Sequence, residues 1–318
     1  VEMLIIAGDL FDHSRPDFGD FESVYRDHRP PDLSTHIIPG NHDPGLTDAA
    51  LAVDNLYVYA KPTLVEEDPH QPLLFLPYRE QATMGEHIAP FNEELPPRHW
   101  ILIGHGDWSG GKKYPDPYEP GVYMPLARTD LEIYQPQFVF LGHIHRPHSD
   151  NRVYYPGSPC PLNITETGTR RMVVYDTQEE EISSHPIDSP RLFMQGEFVV
   201  MPLEDEISYL KSHIENWITS WEVPREWYDR IQLRIKLKGY TRNREAIRKA
   251  VNRELAPFSF YNREEPDLSE LRQAHDPDRA RLVQHMRSWV ESLHWPEGPR
   301  EPGKSEILTQ ALKVIYGE

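Results

Sequence analysis

The sequence has almost no cysteine, no long apolar run and no excess of positive charge. Its single cysteine, Cys160, excludes an intramolecular disulfide framework and is compatible with a reducing, cytoplasmic compartment. No apolar run approaches the roughly 20 residues of a membrane span, so no membrane partner is expected. The formal net charge of -18 argues against a generally basic surface for binding nucleic acid.

The acidic charge is concentrated in the first part of the chain. Residues 1–195 hold 14 Lys and Arg against 30 Asp and Glu, whereas residues 196–260 hold 11 against 10. Carboxylates of the first part could therefore serve metal ions, although most of them must form a solvated surface. The length of 318 residues suggests two domains with material for a sizeable core.

The stretch 138–145, Phe-Val-Phe-Leu-Gly-His-Ile-His, is a candidate for a functional site. Its four apolar residues predict a buried strand, and the glycine after them predicts a turn. His143 and His145 follow at the strand end. A site with two metal ions would suit this pair, with one imidazole for each ion. A pair of surface histidines is the alternative.

The same design, an apolar strand followed by glycine and polar residues, occurs three more times upstream. Open α/β sheets place their chemistry at the carboxyl ends of buried parallel strands, so these polar side chains are expected to meet. Carboxylate, amide and imidazole groups suit Mn²⁺, Fe²⁺ or Zn²⁺. Turn residues of an unrelated sheet are the alternative. The side chains offered in this way are Asp9, Asn41, His105, His143 and His145.

These motifs resemble those of the calcineurin-like metallophosphoesterases: GDLFD at 8–12, GNHD at 40–43, GH at 104–105 and GHIH at 142–145. Their order, with YPGS at 155–158, is similar to the SbcD-type DNA-repair nucleases. The resemblance rests on specific motifs up to about residue 195 and on layout alone beyond it. It implies an α/β fold, with a two-sheet sandwich, a small α/β capping domain and C-terminal helices.

The resemblance also implies a role for each motif residue. Two divalent ions are expected, with Mn²⁺ the expected metal and Asp9 the bridging ligand. His42 would contact the phosphate and protonate the leaving oxygen, and Asp43 would orient the His42 ring. The other implied ligands are Asn41, His105 and His143 for the second ion and His145 for the first.

Three basic residues near these motifs are candidates for binding the substrate. Lys112 and Lys113 follow a pair of glycines and could grip phosphates, or they could belong to a flexible solvated loop. Arg146 could neutralise phosphate charge or form a surface ion pair. Trp108 could stack on a base, although packing of its own loop is the favoured interpretation.

The chain departs from the family in one motif. The Asp-x-His that ends the family's first strand is absent, and the sequence opens at Val1 already inside a predicted strand. The motif is therefore expected in sequence upstream of Val1. Natural loss, which would leave a metal-deficient scaffold on the same fold, is the alternative.

Secondary structure between and after the motifs follows from periodicity. Residues 48–55 predict a short helix, and residues 57–64 and 73–77 predict strands of a second sheet. Further on, apolar residues at 231, 233, 235 and 237 alternate with basic ones, which predicts a strand with a basic face. Residues 243–255 predict a helix that is also basic. This module would position DNA, or would be a solvated module that only packs on the catalytic domain.

The last part of the chain predicts a linker and two helices. Residues 262–277 are polar, whereas residues 282–293 and 307–315 carry apolar stripes. The helices either fold back on the protein or bind a partner, and the resemblance implies the coiled coil of an SbcC-type ATPase. The predicted domains are catalytic (1–192), capping and DNA-positioning (193–262), and linker with partner-binding helices (263–318).

The predicted function is metal-dependent hydrolysis of phosphodiester bonds. By resemblance, the substrate is DNA, cut as an exonuclease and endonuclease in double-strand break repair by the nuclease subunit of an ATPase complex. A homodimer is compatible with this reading. A phosphoesterase acting on nucleotides or cyclic nucleotides is the first alternative, which the acidic charge favours. The metal-deficient scaffold is the second.

Overall fold

The computed structural model describes residues 2–12, 18–66, 71–111, 121–274, 277–293 and 303–316. The chain divides into two compact units, described separately below. The first unit consists of Val1–Pro159 and Arg171–Ile187, and the second of Cys160–Arg170 and Asp188–Glu318. Within the described ranges, no helix is long and apolar enough to cross a membrane.

The first unit begins with a small parallel sheet in the order β1-β2-β3. Its strands are β1 (Met3–Ala7), β2 (Ser34–Ile38) and β3 (Leu56–Val58), and helix α1 (Phe18–His28) connects the first two. The aromatic residues Phe18, Phe21 and Tyr25 of α1 pack around Leu46 and Leu56. This packing covers one face of the sheet with a helix, as expected for parallel strands.

A second sheet has the order β4-β5-β6-β7-β9-β8, with β5, β6, β7 and β9 parallel. Its apolar strands are buried, and Ile38 of the first sheet packs with Phe75, Ile101 and Ile103 of the second. The shared core confirms the predicted α/β fold with a two-sheet sandwich. The strands of this sheet are β4 (Thr63–Val65), β5 (Leu73–Leu76), β6 (Ile101–His105), β7 (Phe138–Gly142), β8 (His148–Asp150) and β9 (Val153–Tyr155). The same unit also contains helices α2 (Met84–Ile88) and α3 (Arg128–Tyr134) and a separate hairpin of β10 (Arg171–Asp176) and β11 (Glu181–Pro186).

Two local predictions in this unit are wrong. Residues 57–64 are not one strand of the second sheet, because they divide between β3 in the first sheet and β4 in the second. Pro62 lies between β3 and β4 and has no backbone N–H to donate to a neighbouring strand. The predicted helix at 48–55 is only a 3₁₀ turn, Asp48–Ala50. The Asp48 carboxylate accepts the Val58 backbone N–H at 2.6 Å, a contact that competes with helix formation.

The second unit is built on another parallel sheet, in which β13 is flanked by β12 on one side and by β14 and β15 on the other. The alternation at 231–237 is confirmed, since Ile231, Leu233, Ile235 and Leu237 are all buried. Asp205 and Asn243 cap the helices that follow them. The elements are β12 (Leu192–Val200), α4 (Glu206–Thr219), β13 (Ile231–Thr241), α5 (Arg244–Glu254), β14 (Ser259–Phe260), β15 (Asp267–Gln273), α6 (Pro277–Ser292) and α7 (Lys304–Tyr316).

The predicted linker at 262–277 is wrong for its central residues. Strand β15 lies there and pairs with β13 in parallel, with a register shift between Lys236 and Lys238. Only Leu268 and Leu271 of its seven residues are buried. Most of the segment is therefore polar, and its sequence does not show the alternation typical of a strand. The functional division of the chain at residues 192 and 262 stays a prediction.

The C-terminal helices fold back on their own unit. Val283, Val290 and Leu312 are almost completely buried and pack with Met201 and Tyr240. The apolar stripes therefore pack into a core of the protein itself. Folding back was one of the two alternatives predicted for these helices. Part of the apolar surface stays outside it, because Leu282, Trp289 and Val314 are 54%, 65% and 77% exposed.

Replacing Leu312 with alanine should destabilise the second unit by about 3 kcal/mol, because a fully buried leucine leaves a cavity when truncated. Val314→Ala is the matched control on the same helix, since that side chain is mostly exposed and its truncation should be nearly neutral. Urea unfolding of both variants measures the difference. Equal effects would show that α7 does not depend on this core.

Candidate metal centre

Four predicted ligands meet where four strands end. Asp9 follows β1, Asn41 follows β2, His105 ends β6 and His143 follows β7. Ligand atoms of Asp9, His105 and His143 all lie within 4.8 Å of one another. The Asn41 Oδ1 atom lies 2.7 Å from His105 Nε2 and 3.2 Å from His143 Nδ1. The parallel arrangement of the strands thus gathers one oxygen or nitrogen ligand from each.

The contacts of His105 show that this donor set fits a cation. Its Nδ1 donates a proton to the backbone oxygen of Ala7 at 2.8 Å, so in the neutral ring Nε2 carries a lone pair. Nε2 lies 2.7 Å from Asn41 Oδ1 and 3.2 Å from Asp9 Oδ2, and neither oxygen can donate a hydrogen. The three atoms are held at these distances by a positive charge, which a proton on Nε2 or a bound cation supplies. A divalent metal ion held by these residues would supply that charge.

Asp9 carries its charge close to the centre of the group. Its Oδ1 accepts the backbone N–H of His42 at 2.9 Å. Burial of Asp9 favours the neutral acid, but the hydrogen bond and charge of His105, together with the His42 N–H, outweigh burial, so its pKa lies below the usual value. The carboxylate is therefore ionised near neutral pH and ready to bind a cation.

The backbone around the ligands is strained and closely packed. Asp9 has a φ of 53° and His143 a φ of 91°, a region that residues other than glycine rarely occupy. A side chain at Gly40 would collide with the Asp9 carboxylate and backbone, so only glycine allows the two strand ends to approach. Strain of this kind is typical of sites that the surrounding fold holds in place.

Asp43 fixes the turn that carries Asn41 and His42. Its carboxylate accepts the backbone N–H groups of Gly40 at 2.6 Å and Phe11 at 3.3 Å. Burial raises the pKa of Asp43 above its usual value, the Gly40 N–H partly opposes this, and the charge of Asp9 adds to it. Each carboxylate oxygen can accept a second hydrogen, and the orientation of the His42 ring by Asp43 stays a prediction. A catalytic role for Asp43 stays a prediction.

His42 lies beside the metal ligands. Its Nδ1 is 3.3 Å from the backbone oxygen of Asp12 and 3.8 Å from the Asp12 carboxylate, and 26% of its side chain is exposed. The ring is therefore accessible from solvent, as a group that meets substrate must be. Its predicted contact with phosphate and its role as general acid stay predictions.

The remaining predicted residues are less closely connected to this group. His145 is half-buried but is not part of the described group within 4.8 Å, so its role as a ligand of the first ion stays a prediction. Arg146 is exposed at the surface, and its substrate contact also stays a prediction. Lys112 and Lys113 lie outside the described residues.

Tyr155, in the YPGS motif, is a structural residue that sequence reasoning did not single out. Its hydroxyl donates to the backbone oxygen of Gly106 and accepts the backbone N–H of Trp108, both at 2.7 Å. These contacts hold the loop directly after His105. Trp108 is buried and its indole N–H donates to Asp150 at 2.8 Å, so the interpretation of Trp108 as a packing residue is confirmed.

Removing this hydroxyl by Tyr155→Phe should destabilise the first unit by about 2 kcal/mol, because two buried backbone groups lose their partner. Tyr57→Phe is the control, since the Tyr57 side chain is 46% exposed. Chemical unfolding of the two variants provides the comparison. A Tyr155→Phe protein as stable as the control variant would mean that solvent or another group replaces the hydroxyl.

The predicted basic face of β13 is neutralised by acidic residues of the same unit. Arg234 forms a bidentate ion pair with Glu264, with N–O distances of 2.7 and 2.9 Å. Lys236 pairs with Glu270 at 2.6 Å, and Lys238 pairs with Glu197. Each cation is thus already matched by a carboxylate, which weakens this face as a surface for phosphates.

The part of the chain that carries these side chains is similar to a known family. Residues 1–147 match the model of the calcineurin-like phosphoesterase family. The match covers 147 of the 318 residues, so the similarity to metallophosphoesterases concerns this part of the chain. The metallophosphoesterase domain indicates a metal-dependent hydrolase, in agreement with the gathered Asp9, His105 and His143.

Two further comparisons add nothing to this assignment. Comparison with curated proteins gives no match. One solved crystal structure is 17% identical and covers 54% of this chain and 72% of that chain at a TM-score of 0.37. A likeness at that level carries no inference.

Proposed function

We propose that this chain is a metal-dependent phosphodiesterase that hydrolyses DNA, the nuclease subunit of a cytoplasmic double-strand break repair complex. The observation that carries the proposal is the convergence of Asp9, Asn41, His105 and His143 in a metallophosphoesterase domain. The similarity of residues 1–147 to the calcineurin-like phosphoesterases supports hydrolysis of a phosphoester. The choice of DNA rests on the similarity of the motif order and of YPGS to the SbcD-type nucleases.

The ligands and their neighbours divide the chemical tasks. Asp9, Asn41, His105 and His143 would hold a divalent ion, with Mn²⁺ the proposed metal, and His145 would bind a second ion together with Asp9. Such ions polarise the phosphate and lower the pKa of water. His42 would donate a proton to the leaving oxygen, because its ring lies next to the ligands and is accessible.

A small-molecule phosphodiesterase is the second candidate function. The net charge of -16 over residues 1–195 and the neutralised face of β13 both reduce the attraction of a polyanion. A nucleotide or cyclic nucleotide carries far less charge than DNA and would meet less repulsion. Whether long DNA or a small phosphodiester is turned over therefore decides between the two functions.

The proposed partner is the coiled coil of an SbcC-type ATPase. Leu282 and Trp289 lie seven residues apart on α6 and are exposed, so they present apolar surface on one side of the helix. An apolar coiled-coil surface is a suitable complement to them. A homodimer is a further proposal for the assembly.

Turnover of linear duplex DNA and of a chromogenic phosphodiester, each with Mn²⁺, tests the proposal. The Asp9→Asn variant serves as the negative control, since it removes the central charge of the metal site. The expected result is cleavage of DNA by the wild-type protein and no cleavage by Asp9→Asn. Turnover of the small ester without any DNA cleavage would favour the second candidate. Absence of both bound metal and turnover would favour the metal-deficient scaffold.

A further inference from the structure

We propose that the first unit carries a second binding site, for a mononucleotide, at the edge of its larger sheet opposite to the metal centre. A cavity of about 300 Å³ lies at this edge, and sites for small molecules have volumes from about this size upward. The proposal concerns this unit alone and does not depend on the proposed hydrolysis. The cavity is lined by Arg98, Gln137, Phe138, Asn151, Arg152 and Tyr154.

The lining residues lie where three parallel strands begin. Arg98 precedes β6, Gln137 precedes β7 and Arg152 precedes β9. The candidate metal ligands His105 and His143 lie at the other ends of β6 and β7. Each of these two strands has five residues, and a strand of that length spans about 16 Å. The cavity is therefore distinct from the metal centre.

The two arginines make the cavity positive in an acidic part of the chain. Residues 1–195 hold 14 Lys and Arg against 30 Asp and Glu, yet none of the six lining residues is acidic. Within the described residues, no carboxylate is paired with the guanidinium group of Arg98 or Arg152. Arginine stays charged at any physiological pH. Two such charges match a phosphate monoester, which carries about two negative charges near neutral pH, better than a single carboxylate.

The fold holds both arginines in place. Arg152 Nη1 donates to the backbone oxygen of Pro136 at 2.7 Å, and the Arg152 backbone oxygen accepts the Val139 N–H at 2.9 Å. The Arg98 backbone N–H donates to Gln135 O at 2.7 Å. Arg98 also has a φ of 64°, a conformation that residues other than glycine rarely adopt and that is found at binding sites. Groups fixed in this way lose less conformational freedom when a ligand binds.

The neutral side chains of the cavity suit the base of a nucleotide. The Phe138 and Tyr154 rings are 6.2 Å apart at an angle of 69°, so they form a corner in which a planar base can stack on one ring. Tyr175 packs against Phe138 with ring centroids 5.2 Å apart. Gln137 Oε1 accepts the NH₂ group of Gln71 at 2.7 Å, which leaves the Gln137 NH₂ group as a donor. Phosphate for the arginines and a base for the rings together describe a mononucleotide.

Calorimetric titration of the full chain with adenosine 5′-monophosphate (AMP), adenosine and inorganic phosphate tests the proposal. The protein is first treated with a chelator and desalted, so that no metal ion can bind phosphate at the other edge of the sheet. AMP should bind about tenfold or more tightly than inorganic phosphate, because stacking of the base adds to the affinity. Adenosine, which lacks the phosphate, should bind more weakly than AMP by at least the same factor.

Single substitutions locate the binding. Arg98→Gln and Arg152→Gln should each weaken AMP binding about tenfold, and Arg98 is exposed, so its variant should fold normally. Phe138→Leu should weaken binding of AMP but not of inorganic phosphate. Arg128→Gln is the matched control, because the Arg128 side chain also donates to a backbone oxygen, that of Gly110 at 2.7 Å, but does not line the cavity.

Three results would each overturn the proposal. They are no binding of AMP by the wild-type protein, equal affinity for AMP and inorganic phosphate, and equal affinity of the Arg98→Gln and Arg128→Gln variants for AMP. Because the protein is free of metal and no turnover is measured, none of these results bears on the proposed hydrolysis. Failure to cleave any phosphodiester would likewise leave the binding measurements unaffected.

Discussion

Replacing Gly142 with alanine should destabilise the first unit by about 3 kcal/mol and weaken metal binding. A Cβ at this position would collide with the backbone oxygen of Ala7 on β1 and approach His105 Nδ1. A backbone carbonyl cannot turn away as a side chain can, so the cost should lie at the upper end for overpacking. The same oxygen accepts the Nδ1 proton of His105, so displacing it should also disturb the position of this candidate metal ligand.

Gly45→Ala is the matched control for this substitution. Gly45 lies in the same unit, just after the motif at 40–43, and a Cβ there would meet nothing within 4 Å. This variant should be as stable as the wild type or slightly more stable, since alanine restricts the unfolded chain. Urea unfolding and Mn²⁺ titration of both variants give the comparison. Wild-type stability and affinity in Gly142→Ala would show that β1 and β7 separate at little cost.

The gathering of Asp9, Asn41, His105 and His143 could be predicted because it depends on a local pattern repeated four times. Each strand is a short apolar run, and each glycine marks where the strand ends. Parallel strands bring such ends to one edge of a sheet, so the ligands meet without any knowledge of loop structure. Alternation likewise predicts the buried face of β13, since strand periodicity is local as well.

Features that depend on partners distant in sequence could not be predicted in this way. The sequence predicted a basic face on β13, but its cations pair with Glu264 and Glu270, which lie about 30 residues further along the chain. Strand β15 could not be recognised from sequence because only Leu268 and Leu271 of its residues are buried. It forms through pairing with β13 rather than through an alternating apolar pattern of its own.

The residues that support the site were missed for the same reason. Tyr155 reaches Gly106 and Trp108 from 49 and 47 residues away in sequence. Asp107 accepts the backbone N–H of Tyr123, 16 residues further along the chain, and this contact has no fixed spacing that a motif would show. The YPGS motif was a signal for Tyr155, but it identified a resemblance rather than a hydrogen bond. Candidate ligands at strand ends can thus be recognised from sequence, whereas the contacts that hold their loops emerge only from the fold.

Replacing His42 with alanine should lower cleavage of DNA by about 10²–10⁴-fold while metal stays bound. The loss follows from the proposed role of the ring as the acid that protonates the leaving oxygen. Metal should be retained because the contribution of His42 to Asp9 is its backbone N–H, which alanine keeps. His28→Ala, at the exposed end of α1, is the control and should cleave like the wild type.

A comparison of leaving groups separates the two tasks assigned to the His42 ring. A nitrophenyl ester releases an acidic phenol that departs as an anion, whereas a nucleoside hydroxyl needs a proton to leave. If His42 is the general acid, His42→Ala should lose far more activity on DNA or a dinucleotide than on the nitrophenyl ester. Equal losses on both substrates would assign the ring to phosphate contact alone. Wild-type rates on both, with Mn²⁺ still bound, would remove His42 from the mechanism and require another source for the proton.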